Sequence, residues 1–311
     1  MLVTVTATTY NASQYIIETL ESIYNQTYTN IELIISDDYS VDNTIMVVEE
    51  WLLLERVKKR FVSTRILKVP SNTGVSANCN RCFASASSDW VKLISGDDIL
   101  LPNCIEDNMD FVIKSQKAQI VFSQVKLYQD DFREQNYIKT IPLDYPDNLM
   151  AASLSAKEQY NLLLLSDRIY YTPSVFMNKQ AILKVGGYDE SDRLVEDYPM
   201  WLKLTKAGEQ LYYYHKETVG YRIHSNATNN SGQNVLFKPS VINGYPIRKK
   251  YAHPHLPWLV VKTERHYYWV SLLFKKTGIV KNTTFNKALY KLFTVYTNPF
   301  IYLNAIYKKI N

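Results

Sequence analysis

The chain has 311 residues, of which 46% are hydrophobic and 21% are charged, as in an ordinary soluble globular protein. This composition excludes a disordered chain, a collagen-like repeat and a small disulfide scaffold. No apolar run reaches the roughly 18 residues of a membrane-spanning helix, and the N-terminus lacks the charged and apolar regions of a signal peptide. We therefore expect a cytoplasmic protein.

The net charge of +5 is distributed unequally. Residues 235–311 contain 13 Lys and Arg against a single acid, Glu264, together with 15 of the 41 aromatic residues. The preceding 234 residues contain 22 basic and 29 acidic residues. This asymmetry favours an anionic partner, either a membrane surface or nucleic acid. We expect no nucleic-acid partner, because no nucleic-acid-binding motif accompanies the positive charge.

The three cysteines, Cys79, Cys82 and Cys104, are an odd number, which is typical of a reducing compartment. Cys79 and Cys82 form a CxxC pattern without a second pair. The sequence therefore predicts buried thiols rather than a zinc site.

Strands and helices are predicted to alternate over the first 128 residues, because short apolar runs alternate with helical spacing of apolar side chains. In chain order, the predicted elements are a strand at 2–8, a helix at 15–24, a strand at 31–36, a helix at 42–58, a strand at 65–69, a helix at 75–87, a strand at 90–95, a helix at 102–115 and a strand at 120–128. This order predicts an α/β fold whose mostly parallel sheet is covered by helices on both faces.

Polar and acidic residues follow three of these strands, at 8–10 (TTY), 37–38 (DD) and 97–98 (DD). Parallel strands present their carboxyl ends, and their ligands, at one edge of the sheet. Carboxylates crowded there repel one another unless a cation neutralises them. A hard divalent cation such as Mg²⁺ or Mn²⁺ suits such oxygen ligands. The alternative, that the acids only cap the next helices, remains open.

Six segments, taken together and in this order, resemble the family 2 inverting glycosyltransferases of the GT-A fold. They are VTVTATTYNASQYIIETLESIYNQTYTNIELIISDDYSVDNT (3–44), NTGVSANCNRC (72–82), DWVKLISGDD (89–98), GGYDE (186–190), EDYPMWLKL (196–204) and YRIHSN (221–226). The resemblance covers residues 1–230 and implies a GT-A, Rossmann-like catalytic domain at 1–234. Its nucleotide-binding half would be 1–128 and its acceptor half 129–234, followed by a basic, aromatic, helical region at 235–311.

The resemblance implies which residues meet the nucleotide. Thr8 and Tyr10 would contact the base and ribose, and Asp38 would accept hydrogen bonds from the base. Asp97 would approach the ribose, and Asn72 is also expected at the nucleotide.

Further residues are assigned by the same resemblance. Many relatives carry Ala-Arg-Asn where this chain has Asn78-Cys79-Asn80, so neighbouring Arg81 is expected to replace the missing arginine at the phosphates. Arg222 is likewise expected to bind the nucleotide. Lys203 stands where relatives usually carry arginine. Gly186-Gly187 is expected to be a turn with positive φ, because no glycine-rich phosphate loop surrounds it.

A metal and a catalytic base are implied as well. Asp98 and His224 would bind Mn²⁺ or Mg²⁺, and Asp197, with Glu196 beside it, would be the general base. A divalent cation neutralises a diphosphate leaving group, and direct displacement needs a carboxylate that removes the proton of the acceptor. The alternative, that Glu196 and Asp197 only cap the following helix, remains open, because acids favour a helix N-terminus.

The sequence thus predicts a glycosyltransferase that moves a sugar from a nucleoside-diphosphate donor, expected to be UDP-linked, to an acceptor hydroxyl with inversion. The expected acceptor is a surface glycan, as in capsule or O-antigen synthesis, on a polyprenyl carrier. Two alternatives are a nucleotide-binding protein without transfer activity and a metal-dependent nucleotidyltransferase.

Two amphipathic helices are predicted in the basic region, at 256–274 and 285–309. Their Trp, Tyr and Lys content is typical of helices that lie at a membrane interface. We expect them to dock the enzyme on the inner face of the cell membrane. The alternative is that they pack on the catalytic domain.

Overall fold

The computed structural model describes residues 1–191, 197–224, 235–237 and 240–310, with backbone only at 240 and 306–310. The chain divides into two compact units, Met1–His224 and Ser225–Asn311.

The first unit is built on one mixed sheet. Its strands among the described residues are β1 (Val3–Thr9), β2 (Ile31–Asp37), β3 (Ser63–Lys68), β4 (Trp90–Ser95), β5 (Ile99–Leu100), β6 (Ile120–Gln129), β7 (Tyr137–Ile141), β8 (Phe176–Asn178) and β9 (Leu211–Ile223). Their order is β3-β2-β1-β4-β8-β6-β9-β5, and β7 pairs with β6. The five predicted strands are confirmed, and the first four of them are parallel neighbours. The short β8 runs antiparallel between β4 and β6, which makes the sheet mixed.

The helices of this unit are α1 (Ile16–Tyr24), α2 (Thr44–Leu52), α3 (Glu55–Arg60), α4 (Val75–Ser85), α5 (Cys104–Ser115), α6 (Asp147–Met150), α7 (Ala156–Leu165), α8 (Lys179–Lys184) and α9 (Asp197–Lys206). The single helix predicted at 42–58 is wrong, because the extended backbone of Leu54 separates α2 from α3.

The central strands are buried on both faces, which is typical of parallel strands covered by helices. All seven residues of β2 are buried, including Glu32. Burial alone would raise the pKa of Glu32, but Thr4 Oγ1 donates to its carboxylate at 2.6 Å and the Ser87 amide donates at 2.8 Å. These donors, together with Arg65 at 2.7 Å, hold the pKa of Glu32 below its usual range.

The three cysteines are buried and unpaired, as predicted. Cys79 and Cys82 lie on α4 and Cys104 begins α5. Burial raises the pKa of the Cys82 thiol to about 11.

The second unit is helical in its described part, as predicted. It contains α10 (Ser240–Asn243), α11 (Tyr245–Tyr251), α12 (Trp258–Lys276), α13 (Thr284–Lys291), a π-helical segment at Leu292–Tyr296 and α14 (Pro299–Ile310). The predicted helix at 285–309 is therefore interrupted, and Pro299 begins its last part. None of the described helices is both long and apolar enough to cross a bilayer.

Candidate functional site

The carboxyl ends of β1, β2 and β4 form one edge of the sheet, as the sequence predicts. Thr9 pairs with Asp37 on one side, and Thr8 pairs with Ser95 on the other. Thr8 is half-buried there, and its Oγ1 donates to the Ile94 carbonyl at 3.4 Å.

Asp97, Asp98 and His224 lie together at this edge. Oδ2 of Asp97 is 3.1 Å from Nε2 of His224. Asp98 is 1% exposed, and its Oδ1 accepts a hydrogen bond from the Arg222 amide at 2.9 Å. The structure therefore brings both predicted metal-binding residues to the predicted ribose-binding residue.

Within this cluster, the carboxyl group of Asp98 has an unusually high pKa. Burial, and then the nearby charge of Asp97, raise the pKa of Asp98 well above its usual range. His224 is also buried, with its ring 4.6 Å from that of Tyr15. Its Nδ1 has no hydrogen-bond partner among the described residues. The cluster is thus polar, and its two buried members, Asp98 and His224, are shielded from water. At least one of its hydrogen-bonding atoms, Nδ1 of His224, lacks a partner among the described residues.

Arg222 lies beneath the turn that carries the two acids. Its guanidinium donates to the carbonyls of Asp97 at 2.8 Å and Asp130 at 2.7 Å, and to Glu18 Oε2 at 2.5 Å. It also stacks over the ring of Phe132 at 4.3 Å. The side chain is 3% exposed, so these contacts make Arg222 a support of the Asp97-Asp98 turn. Direct contact with nucleotide, as the resemblance implies, stays a prediction.

Asp38 connects the end of β2 to the loop before α4. Its carboxylate accepts hydrogen bonds from Thr73 Oγ1 at 2.5 Å, the Gly74 amide at 2.7 Å and Arg81 at 2.8 Å. Burial would raise the pKa of Asp38, but these donors lower it. Asn72 is half-buried in the same loop. The predicted residues Asp38, Arg81 and Asn72 are thus neighbours, and Thr73 is a further member that sequence reasoning missed.

Two exposed tyrosines flank the edge. Tyr10 follows β1 and is 50% exposed, while Tyr39 follows β2 and is 47% exposed. Their turns are tied together, because the Asn11 amide donates to Ser40 Oγ and the Val41 amide donates to Asn11 Oδ1, both at 2.8 Å. Tyr39 has φ of 72°, which is rare for an aromatic residue. Sequence reasoning missed Tyr39, since no local signal marks a left-handed tyrosine.

Asp197 is the first residue of α9 and is half-buried. The helix is fixed in the core, because Trp201 is completely buried and the Tyr198 hydroxyl donates to the Leu163 carbonyl at 2.8 Å. Glu196, the other candidate base, lies outside the described residues. The rigid position suits a catalytic base, and the capping alternative predicts the same placement.

The GGYDE segment is a turn, as predicted, with φ of 77° at Gly186 and 66° at Gly187. Asn80 holds it against α4, because its Oδ1 accepts from the Tyr188 amide at 2.7 Å and its Nδ2 donates to the Tyr188 carbonyl at 2.9 Å. Lys203 donates to the Gly187 carbonyl. Asn80, which matches the family pattern, and Lys203, which departs from it, therefore both fix this turn.

An open cavity of about 410 Å³ lies between α4 and this turn. It is lined by Thr73, Ala77, Asn80, Arg81, Ala84 and Glu190. None of these residues belongs to the Asp97–Asp98–His224 cluster. No group of three or more His, Cys, Asp or Glu able to hold a metal ion is found in the part of the chain that the structure describes.

Comparison with known families identifies the chain. The model of Glycosyl transferase family 2 matches residues 4–186. The chain belongs to this family. It is accordingly a glycosyltransferase, and the matched residues include Asp97, Asp98 and the two tied turns, whereas Asp197 and His224 lie beyond them.

Two curated relatives illustrate the similarity of this glycosyltransferase. An uncharacterised glycosyltransferase of Rickettsia typhi is 23% identical over 283 residues, which is 90% of this chain and 82% of the relative. The UDP-Gal:alpha-D-GlcNAc-diphosphoundecaprenol beta-1,3-galactosyltransferase of Escherichia coli is 27% identical over 190 residues, which is 61% of this chain and 62% of that enzyme.

Solved structures show that the fold is of the GT-A type. TarS of S. aureus has a TM-score of 0.56 at 18% identity, and the match covers 87% of this chain and 43% of that chain. TarS 1–349 in complex with UDP-GlcNAc also has a TM-score of 0.56, at 15% identity. That match covers 86% of this chain and 72% of the TarS chain. Mannosyltransferase PcManGT from Pyrobaculum calidifontis, in complex with GDP-Man and Mn²⁺, has a TM-score of 0.50 at 15% identity, with 86% and 61% covered.

Proposed function

We propose that this glycosyltransferase moves a sugar from a UDP-linked donor to an acceptor hydroxyl with inversion, in the synthesis of a surface glycan. The observation that carries the proposal is the Asp97–Asp98–His224 cluster at the carboxyl edge of β4, where open α/β sheets bind ligands. The donor assignment is supported by the UDP-galactose named for the E. coli relative and by the UDP-GlcNAc bound to TarS.

The donor atoms at this edge suit a divalent cation, Mn²⁺ or Mg²⁺, that takes two ligands from the described residues, fewer than the three of a preformed metal site. Asp98 is desolvated beside a second carboxylate, and the buried Nδ1 of His224 lacks a partner among the described residues, so a cation would relieve both. Asp98 and His224 would hold the ion, and the diphosphate would supply further oxygen ligands. When bound, the cation neutralises the charge that develops on the leaving diphosphate. PcManGT was solved with Mn²⁺.

The chain's own residues supply the other functions. Asp97 would hydrogen-bond the ribose after the nucleotide replaces His224 as the partner of its carboxylate. The exposed ring of Tyr10 would contact the base. Asp38 keeps Thr73 and Arg81 in place beside the nucleotide. Asp197 would remove the proton of the acceptor hydroxyl, and inversion follows if the acceptor attacks the anomeric carbon directly.

The acceptor that we propose is a glycan on a polyprenyl diphosphate, as in the reaction named for the E. coli relative. Such an acceptor is anchored in the membrane. We further propose that residues 235–311, with 13 basic residues and one acid, associate peripherally with the inner face of the cell membrane.

The proposal is tested by measuring hydrolysis of UDP-, GDP- and TDP-linked sugars with Mn²⁺, Mg²⁺ or chelator. We expect UDP release that depends on the cation, and sugar released with inverted anomeric configuration by NMR. Binding of UDP-sugars without turnover, even with lipid-linked acceptors, would instead favour a nucleotide-binding protein. Formation of diphosphate from a nucleoside triphosphate and a sugar phosphate would favour a nucleotidyltransferase.

A further inference from the structure

The longest described helix of the second unit, α12, exposes one face that carries two tryptophans and three cations. At 3.6 residues per turn, six side chains of α12 fall within an arc of about 80°. They are Trp258, Lys262, Arg265, Trp269, Leu273 and Lys276. All six are exposed, with fractions of 62% for Trp258, 54% for Trp269 and 57% for Leu273. We refer to these six residues as the Trp–cation face.

The opposite side of α12 is occupied within the second unit. Glu264, the only acid of the helix, accepts from Arg248 Nε at 2.8 Å and lies 3.0 Å from His253 Nε2. Tyr268 stacks on Tyr245 with ring centroids 4.0 Å apart. The helix therefore keeps its negative charge away from the Trp–cation face, and Tyr268 meets the edge of that face, with its ring centroid 5.4 Å from that of Trp269.

We propose that the Trp–cation face docks on an anionic lipid surface, an inference that rests on the proposed peripheral association and names the part of the unit responsible. Tryptophan rings prefer the headgroup level of a bilayer. Lys and Arg stems extend along apolar surface while their charges remain in the headgroup layer. The face has three cations and no acid, so it complements anionic headgroups. The 18 steps from Trp258 to Lys276, at about 1.5 Å each, give it a length of about 27 Å in the membrane plane.

Exposed aromatic side chains also lie outside α12 in the described part of the unit. Phe285 is the second residue of α13 and is 73% exposed, and Tyr296 in the π-helical segment is 56% exposed. Neither lies on a helix that repeats aromatic and basic residues over five turns. These positions therefore provide matched controls for the proposal.

The test uses the full chain and its co-sedimentation with phosphatidylcholine vesicles, with and without phosphatidylglycerol. Two double variants change the Trp–cation face. The tryptophan variant combines Trp258→Ala with Trp269→Ala, and the charge variant combines Lys262→Gln with Lys276→Gln. The controls are Phe285→Ala with Tyr296→Ala, and Lys275→Gln with Lys281→Gln, which remove two aromatic rings or two charges elsewhere in the unit. We expect the charge variant on the face to lower the partition coefficient about 30-fold, since each basic residue near an anionic surface contributes on the order of 1 kcal/mol. Lipid-borne quenchers should reach Trp258 and Trp269 but not the buried Trp51 and Trp201.

Each outcome separates the face from the underlying proposals. Equal loss of binding in face and control variants would overturn the docking face but not peripheral association. Absence of vesicle binding by the full chain would overturn both. A concentration-dependent dimer that the tryptophan variant abolishes would assign the face to a second copy instead and overturn lipid docking. Donor hydrolysis, measured on every variant without lipid, should stay unchanged, and it reports on folding and on the transferase proposal separately.

Discussion

The amide of Arg222 donates a hydrogen bond to Oδ1 of Asp98 at 2.9 Å, although 124 residues separate the two positions. The bond joins the end of β9 to the turn after β4. It gives the buried carboxyl group of Asp98 one hydrogen-bond donor. The guanidinium of the same arginine donates a hydrogen bond to the carbonyl of Asp97. The position of the proposed metal ligand is therefore set by a distant strand as well as by its own turn.

Replacing Asp98→Asn should abolish Mn²⁺-dependent UDP binding while keeping the fold. The amide still accepts from Arg222, but it cannot provide a charged ligand. The pKa of Asp98 is raised in the folded state, so the native protein loses stability as pH rises from about 4, the ordinary value, through the raised value. We therefore expect the variant to melt at a higher temperature than wild type at neutral pH without metal. Calorimetry and thermal melts measure both effects, with exposed Asp110→Asn as control. Unchanged metal-dependent affinity would remove Asp98 from the site.

Binding of Mn²⁺ with UDP should tighten as pH rises. The raised pKa of Asp98 means that the metal must displace a proton whenever the pH lies below that pKa. Titrations in buffers of different ionisation enthalpy should report proton release that declines at higher pH. The Asp98→Asn protein should show no such release. A pH-independent affinity in wild type would contradict the assignment.

The variant Asp197→Asn should leave UDP affinity nearly unchanged and reduce kcat, by about 10²–10⁴ for a general base. Single-turnover transfer to acceptor and equilibrium UDP binding measure the two effects. Asp147→Asn, which also changes the first residue of a helix, is the control. If Asp197 only caps α9, its variant would lose stability but retain more than about a tenth of kcat. Glu196 would then be the next residue to test.

The variant Tyr39→Gly should stabilise the protein by about 1 kcal/mol, because a left-handed backbone costs a non-glycine residue 1–2 kcal/mol, partly offset by the entropy of glycine. Tyr39 has φ of 72° and is half-exposed, so little packing is lost. Urea denaturation measures the change. Gln116→Gly, at φ of 53° after α5, is a matched control remote from the edge. A destabilised Tyr39→Gly protein would show that the ring itself holds the turn.

The variant Arg222→Lys should weaken UDP–Mn²⁺ binding more than UDP binding alone. Lysine keeps the charge but cannot donate to Asp97, Asp130 and Glu18 together, so the Asp97-Asp98 turn loses its support. We also expect a loss of stability of about 2 kcal/mol, the scale of one lost hydrogen bond from a buried charged group. Exposed Arg133→Lys is the control. Equal weakening of both affinities would indicate that Arg222 contacts the nucleotide directly.

The edge of the sheet could be predicted because strand periodicity and chain order place the ends of β1, β2 and β4 together. The antiparallel β8 could not be predicted, because three residues, Phe176–Asn178, carry too little pattern to reveal a strand. The bonds from Thr73 to Asp38 span 35 positions, and only the folded chain brings these residues together. Glu196 lies outside the described residues, so its role as a base stays a prediction.

The burial of every cysteine makes the folded enzyme a convenient host for a single reactive probe. Burial keeps reagents away from Cys79, Cys82 and Cys104, and it also raises the pKa of the Cys82 and Cys104 thiols, so all three should label slowly with maleimides. A cysteine placed at an exposed position such as Phe285 would therefore carry a fluorophore without removing any native residue of the core. The slow labelling rate of the native thiols would, in turn, measure how often α4 and α5 open spontaneously and expose these cysteines to the reagent.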